Sequence, residues 1–455
     1  IDPLQMGCLY EESRRTGTPE VWRTVMRQEA HNYLDLALHY AKAGLLEEAV
    51  EILQACPEQS PMPSYYEGYL HGLAGDEAAA RACCLRAEHL PVPRCYPNRV
   101  EEIAILEYAI RLLGRAPRAH ALLGCLLYDK KQADAAIAHW EASVQQDPGQ
   151  ALVHRNLAIA RYNKQGDADA ALREMEQARR LDPGYPRLLL EYDQLAARLG
   201  RSNAARLQLL EENLALVEQR DDLMLRYVTL LNCEGRCEEA LQILLTRRFH
   251  PWEGGEGKVS AQYRYALIRL AKDCLNRGEN DRAVQLLEQS KTYPDTLGEG
   301  KLPNVPDNEA DYWQGVALRA MGREPEAAAA FLRAASGPQE PGRVLYYNDQ
   351  PSDFIYYQGL AQRAMGNEAA ARKAFHKLLT YGETHLFDAV AYDFFAVSLP
   401  EIEVFADDIA LRNRQYCNYL RALGCAGLGR TSEAAELFAG ILELQPDDQG
   451  ALRHA

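Results

Sequence analysis

The residues best equipped for chemistry lie between positions 250 and 353. Gly254-Gly255-Glu256-Gly257-Lys258 has the glycines and the lysine of a phosphate-cradling loop. The spacing defeats that reading. No glycine stands at the required distance before Gly257-Lys258, Val259 replaces the hydroxyl residue that would hold magnesium, and no strand pattern leads in. What remains is an aromatic platform, Trp252, beside the carboxylates of Glu253 and Glu256 and the ammonium of Lys258. Two later stretches have the same character, with Glu299 and Lys301 in one and Tyr346, Tyr347, Asn348 and Asp349 in the other. Rings for stacking beside carboxylates and amides suit a polar, ring-bearing ligand or a peptide. Glu256 and Asp349 would supply the carboxylate pair that glycoside cleavage needs, although no spacing in the sequence pairs them. No Ser-His-Asp or Cys-His set can be identified, so no catalytic residue is named.

Two metal readings are weaker than their plain alternatives. His31, Asp35 and His39 fall at i, i+4 and i+8, on one face of a helix, but the glutamate of a zinc-protease motif is missing. An exposed polar face is the expectation there. The eleven cysteines are scattered, and neither Cys83-Cys84 nor Cys233-x3-Cys237 has the second half of a zinc site. They read as small core residues of a reducing compartment. No metal and no cofactor is expected.

The elements that must position these residues follow a repeating frame. Ala136, Trp140 and Pro148 recur 35 residues on as Ala171, Met175 and Pro183, with Gly124 ahead of the first set. Small residues let two antiparallel helices approach closely, an aromatic fills the hole beside them, and proline closes the second helix. The pattern resembles the tetratricopeptide repeat. One such hairpin cannot bury its own apolar face, so neighbours must stack. Turns within the hairpins are expected at Gly44, Gly75, Gly166, Gly200, Gly235, Gly278, Gly322, Gly366 and Gly429, with Lys131 in the same role.

From 131 to 235 these turns are spaced 35, 34 and 35 residues apart; from 235 to 366 the steps become 43, 44 and 44, and the last is 63. The extra residues read as insertions at His250–Ser260, Lys291–Glu309, Ser336–Asp353 and Tyr381–Asn413. The first three join one hairpin to the next and should project as neighbours from one edge. Ordered loops of that length are either functional or packing devices. The N-terminal part is less regular, with hairpins at 29–56 and 64–90 and a single helix at 100–113. Residues 201–220 read as one long helix. Ile1-Asp2-Pro3 matches the closing signature Leu181-Asp182-Pro183, so Ile1 reads as the end of an earlier repeat and more chain is expected upstream.

Composition narrows the function classes. A net charge of −15 without a basic stripe argues against a nucleic-acid partner. No run approaches the length of a membrane span, and no secretory signal opens the chain, so a cytoplasmic protein is expected. Tyrosine is abundant, 25 against 9 Phe, and the pairs Tyr65-Tyr66, Tyr312-Trp313 and Tyr356-Tyr357 recur at one repeat position. Most of these must pack, and one of each pair is free to face the inner side.

A closer resemblance is carried by WEGGEGK (252–258), LGEGKL (297–302), YYNDQPSDFIYYQGLA (346–361) and FFAVSLPEIEVFADD (394–408). Roughly residues 95–450 resemble the C-terminal half of a family of large bacterial proteins, in which an uncharacterised, mutarotase-like domain precedes tetratricopeptide repeats. The resemblance implies a helical partner to that upstream domain and carries no activity onto named residues.

The sequence therefore leads to an all-α, right-handed superhelical solenoid of tetratricopeptide-like hairpins. It divides into irregular hairpins at 1–115, a regular array at 116–248 and an array with long insertions at 249–455, all in one continuous solenoid. The expected function is a non-catalytic scaffold that binds a protein or peptide segment, or an N-terminal domain of its own polypeptide. The alternative is the helical half of a carbohydrate-processing, glycoside hydrolase-like enzyme, with the insertions completing a sugar site.

Overall fold

The computed structural model describes residues 3–92, 95–252, 254–346, 349–392 and 403–454. Ile1 therefore lies outside the described residues. Every regular element among the described residues is helical, and none of these helices is long and apolar enough to cross a membrane. The chain forms two compact units, Ile1–Asp182 and Pro183–Ala455. Their boundary falls inside the stretch 116–248.

The first unit begins with α1 (Pro3–Thr16) and α2 (Glu20–Met26). Hairpins α3 (Ala30–Lys42) with α4 (Leu46–Gln54) and α5 (Pro61–Leu73) with α6 (Glu77–His89) follow, then the single helix α7 (Glu101–Leu113). It ends with α8 (Pro117–Asp129) and α9 (Ala133–Gln146), then α10 (Ala151–Ala160), a π-helical turn at Arg161–Gln165, and α11 (Ala168–Leu181).

The second unit starts with α12 (Pro186–Arg198), α13 (Asn203–Glu211) and the short α14 (Leu214–Val217). Three hairpins come next: α15 (Asp221–Cys233) with α16 (Cys237–Thr246), α17 (Lys258–Asn276) with α18 (Asn280–Gln289), and α19 (Asn308–Ala320) with α20 (Glu324–Ala334). Two more are α21 (Phe354–Ala364) with α22 (Glu368–His385) and α23 (Ile409–Gly427) with α24 (Thr431–Leu444); the one-turn α25 (Gln449–Leu452) ends the unit.

The ends of these helices follow from local chemistry. Pro61, Pro117 and Pro186 open α5, α8 and α12, where a missing amide hydrogen costs nothing and a fixed φ already suits a helix. All nine expected turn glycines have φ between 66° and 85°, and Lys131 adopts the same left-handed conformation at 64°. After the turn the chain folds back on the helix it has left, with the amides of Asp76, Gln132 and Asn367 donating to the carbonyls of His71, Leu127 and Gln362.

Two expectations are corrected. Residues 201–220 are not one helix. The Asn213 side chain donates to the Leu209 carbonyl at 2.8 Å while its own carbonyl accepts from Leu216 and Val217, so α13 ends and α14 starts anew. The fourth insertion is also shorter than 381–413, because α22 continues to His385 and α23 begins at Ile409.

Hairpins close through glycine facing an aromatic side chain sixteen residues on. A Cβ added at Gly124 would lie 2.5 Å from the Trp140 ring, at Gly315 2.6 Å from Phe331 and at Gly359 2.4 Å from Phe375. Gly68 meets the Cys84 sulfur in the same way, at 2.5 Å. Ala136, Ala327 and Ala371 are fully buried on the second helices. Gly359→Ala should therefore destabilise the protein, since about 1–3 kcal/mol of overpacking outweighs the ~1 kcal/mol gained in helix propensity. Gly440 on α24 is exposed and a Cβ there meets nothing within 4 Å. Gly440→Ala should raise the thermal midpoint, and a pair of melts with the opposite order would refute the packing frame.

Candidate functional site

The first three of the four insertions meet. A cleft of about 380 Å³ is lined by Glu256 and Ser260 of the first, Tyr293 and Glu299 of the second, Gln350 of the third, and Arg264 of α17. Of the residues singled out in the sequence, Glu256 and Glu299 come together there, while Trp252, Lys258, Lys301, Tyr346 and Asp349 do not line it. Several have structural tasks. Both Glu299 oxygens accept backbone amides, from Gly257 at 2.7 Å and Ser260 at 2.9 Å, which caps the first turn of α17. Glu256 accepts the Gly254 amide at 2.8 Å.

Asp349 holds its own turn by accepting from the amides of Leu345 and Tyr346 at 2.8 and 2.9 Å. Lys301 reaches both oxygens of Asp307 at 2.6 Å. Trp252 packs half-buried against the core beside Gly255, where a Cβ would come within 2.1 Å of the indole. Lys258 is the half-buried first residue of α17, and the Tyr346 ring lies 6.4 Å from that of Tyr392. Glu253, Tyr347 and Asn348 lie outside the described residues.

The face of α3 that bears His31 and Asp35 is taken by a guanidinium. Arg99 contacts Asp35 at 2.6 Å and His31 Nδ1 at 3.1 Å, and also pairs with the fully buried Glu102. Among the described residues no three His, Cys, Asp or Glu side chains converge as a metal site would require.

The densest polar constellation lies elsewhere, on what is here termed the inner face of the second unit. Residues 446–454 lie across side chains drawn from α12, α13, α15, α17, α19, α21 and α23. At one end the Arg206 guanidinium, 2% exposed, donates to both oxygens of Asp193 at 2.8 and 3.1 Å, and Arg226 donates to the same carboxylate at 2.7 Å. Arg206 also reaches Asp447 at 2.9 Å, with Arg226 at 3.7 Å. Burial pushes the Asp193 carboxyl up, yet the two arginines prevail and hold it below its ordinary value. Asn203 donates to the Pro446 carbonyl at 2.7 Å.

In the middle, Gln449 and Gln262 exchange amide hydrogen bonds at 2.7 and 3.0 Å. The Asp448 carboxylate caps the Ala451 amide at 2.8 Å, and that one turn places Arg453 and His454. Arg453 pairs with Glu309 at 3.0 Å and Asp353 at 3.7 Å, and lies over the Tyr265 ring at 5.1 Å. The hydroxyls of Tyr357 and Tyr419 donate to Glu309 at 2.7 Å and to Asp353 at 3.2 Å. His454 ends among rings, stacked on Phe438 at 5.7 Å and within 6.4 Å of Tyr356, Tyr357 and Tyr419. The aromatic pair at 356 and 357 thus divides its tasks: Tyr356 packs on Phe375, and Tyr357 faces inward.

Sequence reasoning singled out none of Asp193, Arg206, Arg226, Gln262, Glu309, Asp447 or Arg453. The available signal was a charge or amide on the apolar side of a helix, as with Asp193 among Leu189, Leu190, Leu195 and Ala196, all buried.

A family model described as tetratricopeptide repeat matches residues 353–381, which comprise α21 and most of α22. Among solved structures, MamA from Desulfovibrio magneticus is 19% identical over 42% of this chain and 93% of its own, with a TM-score of 0.25. A tetratricopeptide repeat protein from Parabacteroides merdae is 16% identical, covering 67% of this chain and 100% of its own at a TM-score of 0.28. YrrB, described as a TPR protein with an unusual peptide-binding site, is 15% identical over 50% of this chain and 90% of its own, with a TM-score of 0.28.

The inner face carries a pH dependence. Burial brings the His454 imidazole down from 6.5 to about 3, with Lys272 and Arg453 pushing the same way and Glu309 opposing. The docked segment thus keeps the ring neutral, whereas a released one protonates near its ordinary value. The released state binds more protons in that window, so docking is strongest above about pH 6.5 and weakens as pH falls towards 3. Glu309, which Arg453 and Tyr357 hold low against its burial, acts in the same sense in the carboxylate range; Asp448 of the segment itself, pushed up by burial, acts in the opposite sense there. Hydrogen-exchange protection factors of residues 447–454 should fall between about pH 7.5 and about pH 5.5, a range set by the histidine titration. His454→Phe should abolish the fall, and protection that does not change with pH in the natural sequence would contradict the assignment.

Proposed function

We propose that the chain is a non-catalytic tetratricopeptide scaffold whose second unit binds a short protein segment on its inner face. The observation that supports this reading is that the face already accommodates such a segment, residues 446–454. Asp447, Gln449 and Arg453 each meet a partner of matching charge or hydrogen-bonding type. Polar recognition spread over seven helices suits a peptide, which offers side chains at regular intervals, better than a compact small molecule. The segment bound belongs to another protein or to a neighbouring domain of the same polypeptide. Burial pushes the Cys84, Cys95 and Cys233 thiols up to about 12, so they are inert core groups, in keeping with a cytoplasmic setting.

The insertion edge is a second candidate surface, because Glu256, Glu299 and Gln350 from three separate insertions share one cleft. Arg264 lies in it with a buried Nε that has no hydrogen-bond partner. A sugar site completed there gains no support from the carboxylate pair, since Glu256 accepts the Gly254 amide and Asp349, which does not line the cleft, accepts those of Leu345 and Tyr346.

Screening a random peptide library against the full chain and against its Arg453→Ala variant tests the scaffold reading. Enriched peptides should carry an acidic residue followed by a basic one. Arg226→Ala should weaken them about tenfold or more, as expected for a lost charge-assisted contact. No enrichment against either protein, or binders indifferent to Arg226→Ala, would refute it.

A further inference from the structure

We propose that residues 447–454 are a built-in occupant of the inner face, and that a partner engages it by displacing them with a segment of the same charge order, acidic first and basic six residues on. This rests on the reading of the inner face given above and adds its regulation and the chemistry of the partner.

A count of charges leads to it. Asp193 faces both Arg206 and Arg226, and Glu403, which also acts on Arg226, is already paired with Arg198, so without Asp447 that end has one positive charge in excess. At the other end Glu309 and Asp353 face Arg453. Lys272, half-buried over the Trp313 ring at 5.0 Å, offsets only one of those carboxylates. Arg264 acts on Asp353 from farther off, so Arg453 is the cation in direct contact with both carboxylates, and without it they lose that contact. An emptied face would hold partly buried charges of opposite sign at its two ends, each without its direct partner from the segment. The segment is therefore released in exchange for something that restores both. A peptide with the reverse charge order places like charges together at each end.

The attachment of the segment permits exchange. Its only helix, α25, is a single turn, which is not stable by itself. It follows α24 directly through Gln445 and Pro446 and is part of none of the hairpins from α15 to α24. Tethering gives it an effective concentration in the millimolar range, which a free peptide must overcome. The natural chain is therefore a weak binder until the segment is loosened.

The experiment uses the full chain and a labelled peptide copying residues 445–454. The triple variant Asp447→Ala, Arg453→Ala, His454→Ala should bind this peptide about tenfold or more tightly than the natural sequence does, a gap of one decade in Kd. Its residues 447–454 should at the same time lose hydrogen-exchange protection. Adding Glu309→Gln should weaken binding again, and a peptide with its acidic and basic residues interchanged should bind poorly. Should the triple variant fail to fold, Arg453→Glu alone is expected to give the same order. Equal affinity for the natural and the loosened chains would overturn displacement while leaving the inner face a binding surface. No binding to a chain whose segment is unprotected would overturn both readings. A segment that stays protected in the variants would show that these charges do not hold it, and equal binding of the interchanged peptide would refute the charge order.

Discussion

Arg206 and Arg226 donate to one carboxylate, that of Asp193, and one carboxylate cannot neutralise two guanidiniums. Asp447, arriving from the far end of the second unit, completes the balance. Removing one member of a buried ion pair typically costs about 3–5 kcal/mol, whereas the intact pair adds little net stability over a well-packed apolar one. The cluster thus acts on position more than on stability. It dictates where residues 446–454 lie, and the opposite requirement at Glu309 and Asp353 dictates their direction.

A polar inner face can exist because the hydrophobic work is done elsewhere. Within three hairpins, glycine on the first helix admits an aromatic ring from the second, and guanidiniums cover two of those rings, Arg319 over Phe331 at 4.5 Å and Arg363 over Phe375 at 4.9 Å. That repeated contact buries the apolar surface locally. The remaining side of the first helices is released from core packing and takes arginine, glutamine, glutamate and tyrosine. The abundance of tyrosine over phenylalanine follows, since Tyr357 and Tyr419 each bring a ring to a crowded place and a hydroxyl to a carboxylate.

How much of this was legible beforehand depends on the range over which each feature is decided. Turn glycines, the alanines of the second helices and the junctions that carry the insertions are decided within one or two repeats, and a spacing argument reaches them. Lys131 was legible as well, because its place in the frame demanded a left-handed residue whatever its type. The break at Asn213 was not, since it depends on a side chain taking a carbonyl that a helix would otherwise use. The inner face was least legible. Asp193 and Asp447 have no common periodicity, and only the path of the chain brings them together. The insertion residues drew attention because rings beside carboxylates are conspicuous in a sequence, yet a carboxylate that caps a helix, such as Glu299, looks the same on paper as one that awaits a ligand.

Solenoids whose repeats touch only their neighbours can lose terminal repeats one at a time. The second unit differs, because its first hairpin is held by the residues that follow its last one. Asn203 is bonded to Pro446 across 243 positions of sequence, and Arg206 to Asp447 across 241. Contacts so distant must close a very long loop and form only after the intervening hairpins have assembled. Once closed, neither end is a free terminus from which melting can start. Disruption of α24 is then felt at α12, and the unit comes apart as one cooperative block, with end repeats no more short-lived than those in its middle.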